Sequence, residues 1–350
     1  MNLFPSHIKL NGQLTAVTDL LKNSETKAGW KKEWLDFLAE WYAPNDWVEV
    51  NTSGSTGEPK TIRLNKTFVA ASAQRTLRFF NLKEDEKVLH CLPSRYIAGK
   101  LMIVRALLGK LDLHVVDPST DFKFLQTEHF KFAAMVPNQV SKILNSKLKT
   151  QNMELLLIGG TAVPKLLENQ LPQISTTCYS SYAMTETATH IALRKLNGEG
   201  ADDFYHCLDD IQVKLSEESC LQIFMPGLTE QPLQTNDLAE LKDEKTFKIL
   251  GRADNVIISG GIKFSPEQLE KKLEIYISQP FMISSLPHNK LGEQLILVVE
   301  GIESSEARTQ LQSICQQQLD KYEQARQIIF IPELPRTTNG KLNRKGFELH

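Results

Sequence analysis

The residues best suited to chemistry begin with the run Thr52-Ser53-Gly54-Ser55-Thr56-Gly57-Glu58-Pro59-Lys60. Four hydroxyls, two glycines and a lysine follow a short apolar stretch, Val48 to Val50. Glycines let the backbone approach phosphate oxygens, N–H and hydroxyl groups donate to them, and lysine adds charge. The same composition also suits a solvated linker. It is not the Walker pattern, in which Gly runs directly into Lys, because Glu58 and Pro59 intervene. An ordinary P-loop NTPase or kinase is therefore disfavoured. A second set, Tyr179-Ser180-Ser181-Tyr182-Ala183-Met184-Thr185-Glu186-Thr187, offers an aromatic face, hydroxyls and a carboxylate. It can stack a base, bond a phosphate and hold Mg²⁺ through Glu186; taken alone it reads more simply as a polar turn with a core tyrosine. Thr235-Asn236-Asp237 and Gly251-Arg252-Ala253-Asp254 each read as a site or as a turn with solvated charge. Asn339-Gly340-Lys341 reads as a functional lysine or a soluble basic tail.

The chain that must position these residues has 350 residues, 41% of them hydrophobic and 23% charged. That is an ordinary soluble composition, able to bury a core, and the length suggests about two domains. Forty Lys and Arg against 42 Asp and Glu give a net charge of −2, so bulk charge does not mark a nucleic-acid binder. No apolar run approaches the roughly 18 residues of a membrane span. The start lacks a charged segment leading into a long apolar one, so no secretory leader is expected. The five cysteines are scattered without a C-x-x-C pair, and the eight histidines show no ligand spacing. Small buried thiols in a reducing compartment follow, which points to the cytoplasm.

Up to about Trp47 the pattern is mostly helical, with Trp30, Trp34, Leu35, Phe37, Leu38 and Trp41 recurring mainly at threes and fours. Val48–Val50 reads as a strand and 66–80 as a helix. The short apolar runs Val88–Leu92, Leu113–Val116, Ala133–Val136 and Leu155–Ile158 alternate with turns and helical stretches. The expected fold is α/β with a mostly parallel sheet. Leu221–Phe224 and Phe247–Leu250 suggest a β subdomain. A boundary is expected after Leu250, giving a core domain over 1–251 and a small α+β domain over 252–350. The smaller domain opens its first helix with Ser265 as N-cap, Pro266 at the first helical position and Gln268 closing a capping box, and runs through Leu269, Leu273 and Tyr276. A strand over Leu295–Glu300, a helix from Ser305 to Tyr322 and a strand over Gln327–Ile331 follow.

In order, the runs SGSTGEPK, GGTAVP, YAMTET, TND, GRADNVIISGGIKFSPEQLE and PRTTNGK resemble the motifs of the acyl-adenylate-forming superfamily, which spans acyl- and aryl-CoA ligases, peptide-synthetase adenylation domains and luciferases. The resemblance covers about Val48 to Lys345. It implies that a carboxylate attacks the α-phosphate of ATP, releasing pyrophosphate, and that a thiol then displaces AMP. It implies that Thr52, Ser53, Gly54, Ser55, Thr56, Gly57 and Lys60 cradle the β- and γ-phosphates, with Gly159, Gly160 and Thr161 on the adenine side. Tyr182 would stack on adenine, Thr185 would bond the α-phosphate and Glu186 would hold Mg²⁺. Asp237, supported by Arg252, would bind the ribose. Lys341 would bridge the carboxylate and the α-phosphate, which requires the smaller domain to be a mobile lid. Asp254 matches the hinge, and Ser259, Gly260 and Gly261 would approach the pantetheine arm of coenzyme A. The ribose motif departs from T-G-D, with Asn236 in a turn that asparagine tolerates. Ala183 and Tyr96 replace a glycine and a histidine common among relatives.

The segment LPSRYIAGKLMIVRALLGK falls at the acyl-pocket position and carries Arg95, Lys100 and Arg105 among apolar residues. A fatty-acid pocket disfavours buried cations, whereas an acid with a second carboxylate needs one. With the compact chain, this resembles the short o-succinylbenzoate–CoA ligases of menaquinone synthesis. That resemblance implies a soluble ligase without nucleic-acid partners, its acid contacted by Tyr96, Lys100 and Arg105. Another aryl- or small-acid CoA ligase, a carrier-protein-loading adenylation enzyme and a non-catalytic nucleotide binder stay open, as do monomer and homo-oligomer. The phosphate run begins early for this superfamily. A reduced N-terminal subdomain, one mostly helical segment over Asn11–Tyr42, is the expectation, in a trimmed enzyme rather than a fragment.

Overall fold

The computed structural model describes residues 2–22, 28–51, 61–146, 152–226, 231–336, 342–344 and 347. The phosphate run 52–60 and Lys341 lie outside the described residues.

The N-terminal segment departs from its helical expectation. It opens with a hairpin, β1 (His7–Leu10) and β2 (Gln13–Ala16). Asn11 and Gly12, with φ of 48° and 82°, form its two-residue turn. Both positions need φ > 0 to match the strand twist, and Asn-Gly supplies it. The His7–Leu10 stretch is too short for its alternation to stand out beside the tryptophan-rich pattern that follows. Helices α1 (Val17–Lys22) and α2 (Trp30–Tyr42) come next. The buried stripe of α2 is Trp34, Leu35, Phe37, Leu38 and Trp41, the spacing that the sequence displays. Trp41 donates its indole N–H to the Leu3 carbonyl at 3.0 Å, so the buried ring leaves no unmet donor.

β3 (Trp47–Asn51) and β4 (Thr61–Asn65) pair antiparallel and hold the two ends of run 52–60 together. Asn65 then caps α3 (Lys66–Phe79) by accepting from the Thr67 N–H at 2.8 Å. The α/β alternation follows: β5 (Lys87–His90), α4 (Ile97–Gly109), β6 (Asp112–Val115), β7 (Phe130–Met135), α5 (Pro137–Asn145), β8 (Met153–Ile158), α6 (Lys165–Glu168) and β9 (Thr177–Ala183). Thereafter strands dominate: β10 (His190–Lys195), β11 (Tyr205–Cys207), β12 (Gln212–Leu215), β13 (Cys220–Phe224), β14 (Leu233–Asp243) and β15 (Thr246–Arg252).

These strands build one 13-stranded mixed sheet in the order β12-β13-β14-β15-β11-β10-β9-β8-β7-β5-β6-β1-β2. From β9 to β1 every neighbouring pair is parallel; β2 and the strands from β10 to β12 pair antiparallel. The expected β subdomain is built as the antiparallel continuation of this sheet. Its strands carry their neighbours' hydrogen bonds, so no edge is left between the two halves.

The remaining strands form a five-stranded sheet of β16 (Ile257–Ser259), β17 (Ile262–Phe264), β18 (Phe281–His288), β19 (Gly292–Glu300) and β20 (Gln327–Ile331), covered by α7 (Pro266–Leu273) and α8 (Ser305–Gln318). Ile257, Phe264, Leu269, Leu273, Leu297, Leu311 and Ile328 share a core drawn only from this unit. Two details differ from the sequence reading. Both helices stop short of Tyr276 and Tyr322. Ser265 precedes α7 but forms no capping box; its hydroxyl donates to the Leu250 carbonyl at 3.0 Å and so ties the helix to β15.

Lys100 shows how the short N-terminal segment is fastened to the core. This residue of α4 is 8% exposed and donates to Glu40 Oε2 of α2 at 2.9 Å and to the Glu49 carbonyl of β3 at 2.6 Å. Lys100→Met should lower the unfolding free energy by roughly 1–3 kcal/mol, because it strands the Glu40 carboxylate and a carbonyl. Urea denaturation of both proteins checks this, and equal midpoints would mean the ammonium is dispensable.

Candidate active site

In parallel α/β sheets ligands gather at the carboxyl ends of the strands, and the candidate residues sit there. Gly159 and Gly160 follow β8. A Cβ on Gly159 would stand 2.3 Å from Ser181 Oγ of β9, so a larger residue here would have to displace the Ser181 hydroxyl. Gly160 has φ of 87°, and Thr161 beyond it is exposed.

Tyr182 lies near the end of β9 and packs edge-on against Phe247 of β15, with ring centroids 5.2 Å apart. Its hydroxyl donates to Asp237 Oδ2 at 2.5 Å. Burial, with the Asp237 carboxylate beside it, holds the phenol strongly in its protonated, donating form. Asp237 Oδ1 accepts from Arg252 Nη1 at 3.2 Å, and Arg252 Nε and Nη2 reach the two oxygens of Asp254 at 2.9 and 3.1 Å. The register pairs Asp237 with Arg252 across β14 and β15. The structure therefore brings Tyr182, Asp237, Arg252 and Asp254 into one chain. Thr235-Asn236-Asp237 is strand rather than turn, and Asn236 has no positive φ. Thr235 Oγ1 both donates to the Leu221 carbonyl and accepts from the Asp237 N–H, which fixes the carboxylate from the backbone side.

The loop between β9 and β10 carries Thr185 and Glu186. The Thr187 hydroxyl, fully buried, accepts from the Met184 N–H at 3.2 Å and donates to the Thr189 carbonyl at 2.7 Å. Ala188 closes the loop at φ of 63°, a strained conformation for a non-glycine residue that costs about 1–2 kcal/mol. Thr185 is half-buried and Glu186 exposed. Among the described residues no cluster of three or more His, Cys, Asp or Glu could hold a metal by itself. One carboxylate at Glu186 suits Mg²⁺, which keeps most of its waters and draws other ligands from substrate phosphates.

Tyr96 is the residue before α4, half-buried, with the Arg95 guanidinium 5.0 Å over its ring. Lys100 is taken up by Glu40 and the Glu49 carbonyl, which gives it an evident structural role in place of an open cation. Arg105 is different. It is 2% exposed, its Nη2 donates to Thr189 Oγ1 at 3.2 Å, its Nη1 approaches the Met102 sulfur at 3.5 Å, and its buried Nε has no partner. Burial pulls this guanidinium down to about 9, still cationic at neutral pH. The sequence reading missed Thr189 and His190, which surround Arg105; their only signal is their place directly after the Thr185–Thr187 motif.

In the smaller unit, Gly260 and Gly261, with φ of 61° and 83°, form the two-residue turn between β16 and β17, next to Ser259. Arg344, three residues beyond Lys341, forms a two-pronged pair with Glu270 of α7, both contacts at 2.6 Å. The two units touch where the Lys165 N–H of α6 donates to Glu274 Oε2 at 3.2 Å. No helix among the described residues is long and apolar enough to cross a membrane.

Residues 8–216 match the family model described as AMP-binding enzyme, and the chain belongs to that family. It is 23% identical over 321 residues to the 2-succinylbenzoate–CoA ligase of Lactococcus lactis subsp. lactis (strain IL1403), covering 85% of this chain and 70% of that one. The crystal structure of an acyl-CoA synthetase (AMP-forming)/AMP-acid ligase II-like protein from Dyadobacter fermentans DSM 18053 superposes with a TM-score of 0.61 at 32% identity, covering 93% of this chain and 96% of the other. The o-succinylbenzoate coenzyme A synthetase of Bacillus subtilis, solved with the acyl-adenylate intermediate OSB-AMP, shares the fold at a TM-score of 0.74 and 20% identity over 85% of this chain and 68% of its own.

Tyr182→Phe keeps the ring and removes only the bond to Asp237. It should cost about 1–2 kcal/mol of stability and, with Asp237 in the ribose-binding role that the resemblance implies, weaken ATP binding severalfold in calorimetric titration. Unaltered affinity would mean that Asp237 is oriented by Arg252 and Thr235 alone.

Proposed function

We propose that this chain is an AMP-forming acid–CoA ligase that converts o-succinylbenzoate to o-succinylbenzoyl-CoA in menaquinone synthesis, acting in the cytoplasm. The observation that carries the choice of acid is Arg105. A guanidinium 2% exposed, with an unpartnered Nε and no carboxylate partner among the described residues, is costly to bury unless an anion arrives. An acid with a second carboxylate supplies that anion and keeps it away from the reacting one. The relative of L. lactis and the B. subtilis complex with OSB-AMP support the same acid.

In this reading residues 1–251 form the adenylating core and 252–350 the lid. The succinyl carboxylate attacks the α-phosphorus of ATP, and pyrophosphate leaves with the P–O bond that breaks. Thr52–Gly57 and Lys60 hold the departing phosphates; Gly159, Gly160, Thr161 and Tyr182 hold the adenine. Asp237, aligned by Tyr182 and Arg252, accepts the ribose hydroxyls. Thr185 and Lys341 donate to the α-phosphate as its charge develops, where such groups count most. Mg²⁺ held through Glu186 would screen the repulsion between two anions. The lid then turns at Asp254, Ser259-Gly260-Gly261 admit the pantetheine arm, and the CoA thiolate attacks the acyl carbon, expelling AMP. Tyr96 lies at the mouth of the acyl site; Lys100 braces the wall behind it.

Incubation with ATP, Mg²⁺, CoA and a panel of acids tests this. Thioester should form with o-succinylbenzoate and poorly with benzoate or a fatty acid; the reverse order overturns the reading. Arg105→Met should depress kcat/KM for o-succinylbenzoate by about a hundredfold. The same variant should stabilise the ligand-free protein by roughly 1–4 kcal/mol, because an apolar chain replaces an unpaired buried cation. The guanidinium, depressed to about 9, stays charged through neutral pH, so this gain is constant there and shrinks only as pH rises through that value.

A further inference from the structure

Behind Arg105 runs a buried polar chain that the reaction itself does not use. Arg105 Nη2 of α4 donates to Thr189 Oγ1 at 3.2 Å. Thr189 Oγ1 lies 3.3 Å from His190 Nδ1, and His190 Nε2 lies 3.1 Å from Thr76 Oγ1 of α3. Thr76 Oγ1 donates to the Ser72 carbonyl at 3.4 Å. All four side chains are buried; His190 is 2% exposed and Thr76 fully enclosed.

With the Thr76 hydroxyl donating to the Ser72 carbonyl, Thr76 accepts from His190 Nε2–H. His190 Nδ1 then carries a lone pair and accepts the Thr189 proton, and Thr189 turns its own lone pairs toward Arg105. In the opposite tautomer Thr189 would face two donors with its own proton unplaced, and the Ser72 carbonyl would lose its side-chain donor. Burial beside the Arg105 guanidinium keeps the imidazole neutral, which this arrangement requires. A neutral histidine between two hydroxyls therefore aims an acceptor at the Arg105 guanidinium, which has no carboxylate partner among the described residues.

We propose that His190 is a positioning residue: as the Nε2–H tautomer it orients the Thr189 hydroxyl, which holds the Arg105 guanidinium in the pose that accepts the second carboxylate of the substrate. Selectivity for a diacid then depends on α3, which anchors the far end of the chain through Thr76. This role rests on the acid assigned above.

The test compares kcat/KM for o-succinylbenzoate with that for its analogue lacking the ring carboxylate. His190→Leu should cut the ratio about tenfold, through the KM of the diacid and not that of ATP. His190→Gln, which can offer one acceptor and one donor, should recover most of it. Thr76→Val, a smaller change, should shift the ratio in the same direction should the leucine variant fail to fold. A wild-type enzyme indifferent to the ring carboxylate would overturn the substrate reading and this role with it. A wild-type preference lost in Arg105→Met but kept in His190→Leu and Thr76→Val would overturn only the role of His190. Nitrogen NMR of labelled histidine reads the tautomer without any substrate, and a protonated Nδ1 would also refute it.

Discussion

Asp237 is the point on which the nucleotide half of this molecule turns. One carboxylate accepts from Tyr182 of the β9 strand and from Arg252 at the end of β15, and Arg252 passes on to Asp254. The last parallel strand, the antiparallel continuation of the sheet and the first residues after it are thereby tied by charge-assisted bonds, the stronger kind. Any motion at Asp254 competes for the guanidinium that also steadies Asp237. The proposed ribose site and the proposed hinge are consequently one electrostatic unit.

The acid half depends on a different economy. Arg105 is buried in a layer between helices α3 and α4 and strand β10, with hydroxyls and a sulfur for company. In the proposed reading such a cation weakens the empty fold and prepares it for an anion, a usual trade between stability and function. The Ala188 backbone and the Thr187 hydroxyl hold the neighbouring loop, which carries Thr185, Glu186 and Thr189. Strain there is small beside the order it imposes on a short loop.

Much of the fold was legible because its signals are local. The stripe of α2, the strand runs of β5 to β8 and the helix after Ser265 follow from periodicity within ten or so residues. The hairpin β1–β2 was not, since four-residue strands carry too little alternation, and its pairing with β6 spans a hundred residues. The strands of the Cys220–Leu250 stretch, β13 to β15, were legible as a β subdomain, but sequence shows strands and only long-range pairing shows which sheet they join. Lys100 and Arg105 look alike in sequence, two cations among apolar residues on one helix. Lys100 meets Glu40 and a carbonyl; Arg105 meets no carboxylate.

The amino-acid sequence by itself determined the candidate residues and their order: the hydroxyl-rich run at 52–60, Tyr182 to Glu186, Asp237, Arg252 to Asp254, the paired glycines and Lys341. Residue type and spacing are enough for that, because each motif is contiguous. What only the tertiary structure decided is which of these groups share a charge. Tyr182, Asp237 and Arg252 are far apart along the chain, and so are Thr76, Arg105 and His190. Their bonds exist because strands and helices distant in sequence bury them side by side, where unmet polar groups are costly and every donor must find its acceptor.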